Sequence, residues 1–275
     1  MTPGKQIITL TTDFGDQDHY VGVMKAVILN INPDVLLVDI SHQVNSHDIF
    51  DGAFTLAQSY RYFPAGTIHL VVVDPGVGSA RRPILARMGK HQFIAPDNGV
   101  LSLIYEREEN VEVRHITSEY YFLSPVSNTF HGRDVFAPVA GWLSRGLEAD
   151  KFGDTVADYV KFASPHAKWQ DDKTLKGIVL KVDKFGNVIT NIRPEDVPQL
   201  FGDRPAPFRI LINHHQVTQL NHSYAAAKPS ELFAIVGSSG LIEISIYRGS
   251  AAKTLGVNRG VEVELVLEGA AVLGQ

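Results

Sequence analysis

The chain of 275 residues is 44% hydrophobic and 20% charged, with a net charge of −5, which predicts an ordinary globular protein. This acidic balance argues against a nucleic-acid partner, which would need a basic surface, and the absence of cysteine excludes disulfides, thiolate catalysis and thiolate metal sites. No run approaches the ~20 apolar residues of a membrane span, and no signal-peptide segment precedes the first predicted strand, so we expect a cytoplasmic protein without membrane contact.

The first half of the chain alternates β-branched apolar runs with helical patterns. The predicted strands lie at 6–11, 35–40, 67–73, 83–87 and 92–95. The predicted helices lie at 20–29, 48–62, 99–105 and 134–143. Strands separated by helices at this rhythm predict a mostly parallel sheet with both faces covered.

The second half has a different character. Residues 144–173 are polar with scattered glycine and proline, and predict a linker with little structure of its own. Short strands are then predicted at 177–183, 186–192, 208–213, 231–237, 241–247 and 261–267, with a small helix at 250–255. We therefore expect an α/β fold, with an N-terminal, mostly parallel α/β domain over 1–165 and a smaller, β-barrel-like C-terminal domain over 166–275.

Polar residues collect where the predicted strands end. The first strand runs into TTDFGDQD and the third into DPGVGSARR, while APDNG follows the strand at 92–95 and HGRD meets the helix at 134. Ligands of open parallel sheets bind at the carboxyl ends of the strands. We therefore expect these segments to emerge on one rim and to form the functional site.

A purely structural role explains Asp74 less well than it explains the other polar residues of this rim. It ends the apolar run VVV, where a carboxylate is costly to bury unless a partner stabilises its charge. A Pro-Gly turn then brings back Arg81 and Arg82. Either arginine could be that partner.

Structural explanations remain open for the other polar residues of the rim. Asp18 could cap the helix that follows it. Asp97 and Asn98 suit a turn and a helix cap, and His131 could be a buried histidine with satisfied hydrogen bonds. For Asp97 and Asn98 the structural role is the better hypothesis.

Several motif matches fail on inspection. DFG at 13–15 lacks the other kinase motifs, and GVGS at 76–79 lacks the ending of a P-loop. A metal could in principle be held by Asp13, Asp74, His131 and His47. No metal is expected, however, because neither HExxH nor a dense carboxylate cluster is present.

Four motifs together, in this order, carry a more specific signal: TTDFGxxDxYVGxMK, VVDPGVGxxRR, HGRDxFAP and DKFGNVITNI. They resemble the SAM hydroxide adenosyltransferases (SAM is S-adenosylmethionine), which are related to the bacterial fluorinase and chlorinase, and the resemblance covers nearly the whole chain. It implies an α/β domain followed by a β-barrel-like domain. It also implies that SAM is the substrate, that water converts it to adenosine and methionine without a cofactor, and that a homotrimer forms its sites between subunits.

The resemblance also assigns residues. It implies a catalytic set of Asp74, Arg81 and His131, with Arg81 chosen because the family's arginine lies seven residues after its aspartate. The substrate-binding residues that it implies are Asp13, Asp18, Tyr20, Asp183, Phe185, Asn187, Ser238, Ser239 and Ala251. Asp13 matches the ligand of the ribose hydroxyls, and Asp183 and Asn187 match contacts to the methionine and adenine parts. At 238–239 the fluorinase has a Ser-Arg pair, so the arginine is missing here.

Three alternatives remain open at this point. A halogenase of the same family uses halide in place of water, and has at the position of Asp74 a residue that cannot activate water. The joint presence of Asp74, Arg81 and His131 therefore favours hydrolysis. A sensor that binds SAM or adenosine without turnover, and a metal-dependent phosphoesterase, are the other two.

Overall fold

The computed structural model describes residues 4–268 and divides into two compact units, the first ending at Ser164 and the second beginning at Pro165. The predicted domain ranges also include residues 1–3 and 269–275, which lie outside the described residues. The longest described helix has 12 residues, and no helix in the described part of the chain is long and apolar enough to cross a bilayer.

The first unit is built on a six-stranded sheet. Its strands are β1 (Ile7–Thr12), β2 (Leu36–Ser41), β3 (Ile68–Val72), β4 (Pro83–Met88), β5 (His91–Pro96) and β6 (Glu112–His115). They lie in the order β2-β1-β3-β5-β4-β6, in which the first three pairings are parallel and the last two antiparallel. The mostly parallel sheet is confirmed, and β6 is an addition to it.

Helices cover both faces of this sheet. They are α1 (Tyr20–Ile31), α2 (Ile49–Ser59), α3 (Ser102–Tyr105) and α4 (Ala137–Ser144), with a π-helix over Gly132–Phe136. On one face Leu10 of β1 joins the apolar core with Met24 of α1. On the other face Thr9 bonds to His69, which packs against Tyr60 just after α2. Alternate side chains of β1 thus meet different layers, as the pleat of a strand requires.

The second unit is a nine-stranded sheet that curls into a half-barrel around its own apolar core. The strands are β7 (Lys168–Trp169), β8 (Thr174–Val182), β9 (Val188–Thr190), β10 (Phe208–Ile212), β11 (His215–Val217), β12 (Leu220–Asn221), β13 (Leu232–Val236), β14 (Ile242–Ile246) and β15 (Glu262–Leu267). Its helix α5 (Ala251–Leu255) is capped by Ser250 and ends at Gly256. All six predicted strands and the small helix are present, so the predicted α/β class with a β-barrel-like second part is confirmed.

Candidate active site

The turn after β3 is shaped to return the chain to Asp74. Asp74 follows the strand closely, and its carbonyl accepts a bond from the backbone N–H of Val77. Gly78 has a φ of 76°, and a Cβ there would overlap the carbonyl oxygen of Asn128. Only glycine suits this close approach. The turn therefore brings the next residues back alongside the carboxylate.

Arg81 is the partner of Asp74. Its Nε lies 2.9 Å from Oδ1 of Asp74, and its Nη2 donates to Oδ2, so the pair is bidentate. The two side chains are only 8% and 4% exposed, respectively. Opposite charges interact more strongly away from water, and a bidentate pair also fixes the plane of the carboxylate.

Arg82 serves a different part of the molecule. Its Nη2 lies 2.7 Å from Oδ2 of Asp97, and its Nη1 lies 2.7 Å from Oδ1 of Asp158. The neighbouring Asn98 accepts a bond from the N–H of Val100 at 3.1 Å, as expected of a turn residue. Asp97 and Asn98 therefore have the structural role that was the better hypothesis for them.

His131 completes the cluster around Arg81. Its Nδ1 lies 2.8 Å from Nη2 of Arg81, and because a guanidinium only donates, Nδ1 is the acceptor and the neutral ring carries its proton on Nε2. Burial lowers the pKa of His131 and the positive charge of Arg81 lowers it further, while Asp74 and Asp134 act in the opposite direction. The structure thus brings together all three residues of the expected catalytic set.

The π-helix holds His131 in place, and sequence reasoning missed the residue that anchors it. Asp134 is fully buried and accepts bonds from Arg133 and from the N–H of Ser127. A π-helix is rare and often occurs at functional sites. The signal available in the sequence was an aspartate directly before the apolar stretch VFAPVA, which pointed to a buried, partnered carboxylate.

The guanidinium of Arg81 has donor capacity left over. Its Cζ lies 5.2 Å from the ring centre of Phe136, a buried side chain. Its Nη1 is buried and finds no acceptor among residues 4–268. A buried N–H without a partner is costly. This atom therefore marks a position where an oxygen of a bound molecule would be stabilised.

Asp13 follows β1 and is held by a second loop. Its Oδ2 accepts a bond of 2.8 Å from the backbone N–H of His47, which has the unusual φ of 64°. The preceding residue, Thr12, bonds through its hydroxyl to Nδ1 of His42 at 2.9 Å. His42 and His47 were not expected to support Asp13. Their contacts join residues about 30 positions apart, which local patterns do not reveal.

Asp18 and Tyr20 lie at the start of α1. The helix has His19 at its N-cap, and no side-chain cap bond forms there among the described residues, so the alternative that Asp18 caps this helix is wrong. Asp18 is exposed. The ring of Tyr20 packs 5.2 Å from that of Phe130, the residue before His131. Tyr20 is thus near the cluster, and no side-chain hydrogen bond to another described residue explains the presence of Asp18.

In the second unit, Asp183 organises the hairpin loop between β8 and β9. Its Oδ1 accepts bonds from the backbone N–H groups of Phe185 (2.9 Å) and Asn187 (2.8 Å), and its Oδ2 accepts one from Nδ2 of Asn187 (2.9 Å). Gly186 has a φ of 85°, and a Cβ there would overlap Ser250. The side chain of Phe185 is left 76% exposed, whereas Asn187 is buried.

A cavity of about 610 Å³ lies beside this loop. It is lined by Val182, Asp183, Lys184, Phe185, Gly186, Ser250, Ala252, Lys253, Gly256, Val257 and Asn258. Ala251 is fully buried next to that lining. The cavity has the size of a small-molecule site.

Ser238 and Ser239 stand apart from that cavity lining, in the turn between β13 and β14. Ser238 is exposed. The Oγ of Ser239 is buried and has no hydrogen-bond partner in the described part of the chain. Close to this turn lies Glu243 of β14, a carboxylate that is only 4% exposed. Sequence reasoning did not single it out.

Metal-ligating side chains do not cluster in the described part of the chain. Within residues 4–268 there is no group of three or more His, Asp or Glu side chains arranged to hold a metal ion. The expectation that no metal takes part stays a prediction.

Comparison with known families identifies both units. The family model for the SAM hydroxide adenosyltransferase N-terminal domain matches residues 8–153, and the model for the C-terminal domain of the same family matches residues 177–264. The two matches together cover most of the chain.

Curated relatives and a solved structure agree with these matches. The chain is 34% identical to a Methanocaldococcus jannaschii protein named (R)-S-adenosyl-L-methionine hydrolase, over 94% of this chain and 95% of that one. A fluorinase from Actinoplanes sp. is 26% identical, over 76% of this chain and 79% of that one. The crystal structure of an uncharacterized conserved protein from Thermotoga maritima matches with a TM-score of 0.87 and 35% identity, over 95% of this chain and 100% of that chain.

Proposed function

Since this chain belongs to the SAM hydroxide adenosyltransferase family, we propose that it is an enzyme that hydrolyses SAM to adenosine and methionine. The observation that carries the proposal is the partly buried cluster of Asp74, Arg81 and His131. A halogenase needs no group that activates water, and this cluster offers one. The relatives named as hydrolases are also more similar to the chain than the fluorinase is.

The reaction is a displacement at the ribose C5′. The oxygen of water bonds to C5′ while the bond from C5′ to sulfur breaks, and its electron pair returns to sulfur to give the neutral thioether of methionine. The leaving group needs no proton, so the difficulty lies with water, a weak nucleophile with a pKa of about 15.7. Holding the water ~3–3.5 Å from C5′ supplies part of the acceleration through proximity.

Asp74 is proposed to accept the proton of that water. Each oxygen of its carboxylate accepts a bond from Arg81 and retains a further lone pair. Nδ1 of His131 is occupied by Arg81, so the neutral histidine offers its Nε2–H as a donor that orients the water. The Nη1 of Arg81, buried without an acceptor among the described residues, can stabilise negative charge on the attacking oxygen.

The remaining predicted residues are proposed to hold the substrate. Asp13 would accept bonds from the ribose hydroxyls, since its Oδ1 is left over after the contact with His47. Tyr20 and Asp18 would line the same side. In the second unit the cavity beside the 183–187 loop is proposed for the adenine part, with the exposed ring of Phe185 available for stacking.

We further propose a cytoplasmic homotrimer in which each substrate contacts the N-terminal residues of one chain and the C-terminal residues of a neighbour. This proposal is supported by the resemblance to the family and by candidate residues that fall in both units. A cyclic trimer closes through one repeated heterologous interface, which gives three equivalent sites.

Product analysis tests the proposed function. The protein is incubated with SAM, and the products are separated and identified by mass. Adenosine and methionine in equal amounts are expected, at a rate that a metal chelator leaves unchanged. S-adenosylhomocysteine as the main product, or no turnover of SAM, would overturn the proposal.

A further inference from the structure

Glu243 occupies an unusual position for a carboxylate. It lies in β14, between β9 and β13, and is only 4% exposed. Its Oε2 accepts a bond of 3.0 Å from the hydroxyl of Tyr224. A Cβ on Gly237 would overlap its Oε1, so the carboxyl group lies directly against the turn that carries Ser238 and Ser239.

The charge of Glu243 is not neutralised within the described residues. No lysine or arginine of residues 4–268 forms an ion pair with it, and its Oε1 accepts no hydrogen bond from them. Burial raises the pKa of Glu243; the bond from Tyr224 opposes this rise, and the negative charge of Asp183 adds to it. Buried charges in purely structural roles are normally paired. A cationic ligand would supply the missing partner.

Asp183 is less able to bind such a ligand, although it is nearby. Its carboxylate already accepts three hydrogen bonds from Phe185 and Asn187 of its own loop. Glu243 accepts one, on Oε2, the oxygen that lies farther from Gly237. The spare acceptor capacity of this region therefore lies on Oε1 of Glu243.

We propose that Glu243 is a substrate-positioning residue whose Oε1 accepts a hydrogen bond from the α-ammonium group of the methionine part of SAM. This inference rests on the proposed function and deepens it. SAM carries two cationic centres, the sulfonium and the ammonium, and only the ammonium has N–H donors. A carboxylate oxygen that accepts no hydrogen bond, on a side chain that is 4% exposed, matches the ammonium and not the sulfonium. The buried Oγ of Ser239, also without a partner among the described residues, lies in the turn beside it.

Steady-state kinetics of Glu243→Gln tests this proposal. Glutamine keeps the shape and an acceptor for Tyr224 but removes the charge. Each enzyme is assayed with SAM and with a SAM analogue in which hydrogen replaces the α-amino group. KM for SAM is expected to rise roughly 10- to 100-fold, the range of a lost charge-assisted hydrogen bond, and kcat to change less than about threefold. KM for the deaminated analogue is expected to be the same in both enzymes.

Glu262→Gln is the matched control, because it makes the same chemical change at an exposed position of β15 in the same unit. It should leave both KM values unchanged. Glu243→Asp is a second variant in case the glutamine variant does not fold, and it keeps the charge but moves it back by one methylene. It should raise KM for SAM to a smaller extent and leave KM for the analogue unchanged.

The outcomes separate the two proposals. If wild-type protein does not turn over SAM, the proposed function fails. If wild type and Glu262→Gln are active, and the Glu243 variants change KM for SAM and for the analogue equally or change neither, only the role of Glu243 is overturned.

Discussion

Arg81 and Arg82 are adjacent in the chain, yet their guanidinium groups bind different carboxylates. Arg81 pairs with Asp74 and also contacts His131, whereas Arg82 joins Asp97 to Asp158. The two arginines directly precede β4, and successive side chains of a strand point to opposite faces, which agrees with this division. The same chemical group thus supports the reaction at one position and the fold at the next.

Replacing each arginine by alanine should separate these two roles. Arg81→Ala should lower kcat by about 10²-fold or more, because it removes a preorganised charge from the site. Arg82→Ala should leave kcat within about threefold of wild type and lower the free energy of unfolding by about 1–2 kcal/mol, since it leaves Asp97 buried without its cation. Kinetics and urea unfolding of both variants provide the check. An Arg82→Ala protein as inactive as Arg81→Ala, with wild-type stability, would contradict the division.

The pH dependence of kcat/KM should report on His131. Burial and the charge of Arg81 place its pKa below the ordinary 6.5, so the ring is neutral at pH 6.5 and above. Protonation of the ring at lower pH would place a donor, Nδ1–H, opposite the donor Nη2 of Arg81, and the hydrogen bond between them would be lost. Activity should therefore hold above pH 6.5 and fall at lower pH, with a midpoint below that value. In His131→Asn this inflection should vanish. Activity that increases on acidification would show that the charged ring is the active form.

His69 should make the first unit sensitive to acid. It is fully buried, and burial together with the charge of His91 lowers its pKa to about 3. In the unfolded chain His69 has the ordinary pKa of 6.5. The unfolded chain therefore binds more protons than the folded protein between about pH 3 and pH 6.5. The contribution of His69 to the free energy of unfolding is complete above pH 6.5. It is lost as the pH falls towards 3, at up to about 1.4 kcal/mol per pH unit.

Denaturant unfolding at several pH values measures that slope. In His69→Gln the slope should become shallower, whereas His19→Gln, which replaces an exposed histidine of the same unit, should keep the wild-type slope. Equal slopes in all three proteins would mean that His69 does not control acid stability.

Mixing two inactive proteins tests whether the sites are shared between chains. Asp74→Asn removes the proposed base from the first unit, and Asn187→Ala removes the residue that braces Asp183 in the second. In a trimer with shared sites, co-refolding should restore part of the activity, because some sites then combine two intact halves. Each variant refolded alone is the control. Mixed trimers that stay inactive would mean that each site is formed by one chain.

Most strands were predictable because each is a local apolar run, whereas the short and more polar strands β6, β7, β11 and β12 were not predicted. The partner of Asp74 was not, since the choice between Arg81 and Arg82 depends on the shape of the turn around Gly78. In LIEISIY the alternation indicates that Glu243 and Ser245 face water. Both are buried, because residues distant in sequence cover that side of the strand.

The supporting residues of the site were beyond sequence reasoning for a similar reason. His47 touches Asp13 through its backbone N–H, which leaves no signature in its side chain. Asp134 is anchored by Ser127 and by its neighbour Arg133 within a π-helix, where the sequence predicted an ordinary helix beginning at 134. Contacts of this kind depend on the folded path of the chain and not on composition or period.

Turnover of SAM in ¹⁸O-labelled water, followed by mass spectrometry of the products, tests the central claim most directly. Asp74 is proposed to activate water that attacks C5′, so the label should enter the 5′-hydroxyl of adenosine, methionine should stay unlabelled, and Asp74→Asn should form the same products at least about 10²-fold more slowly. Adenosine without the label, or label in methionine, would contradict attack by water at C5′.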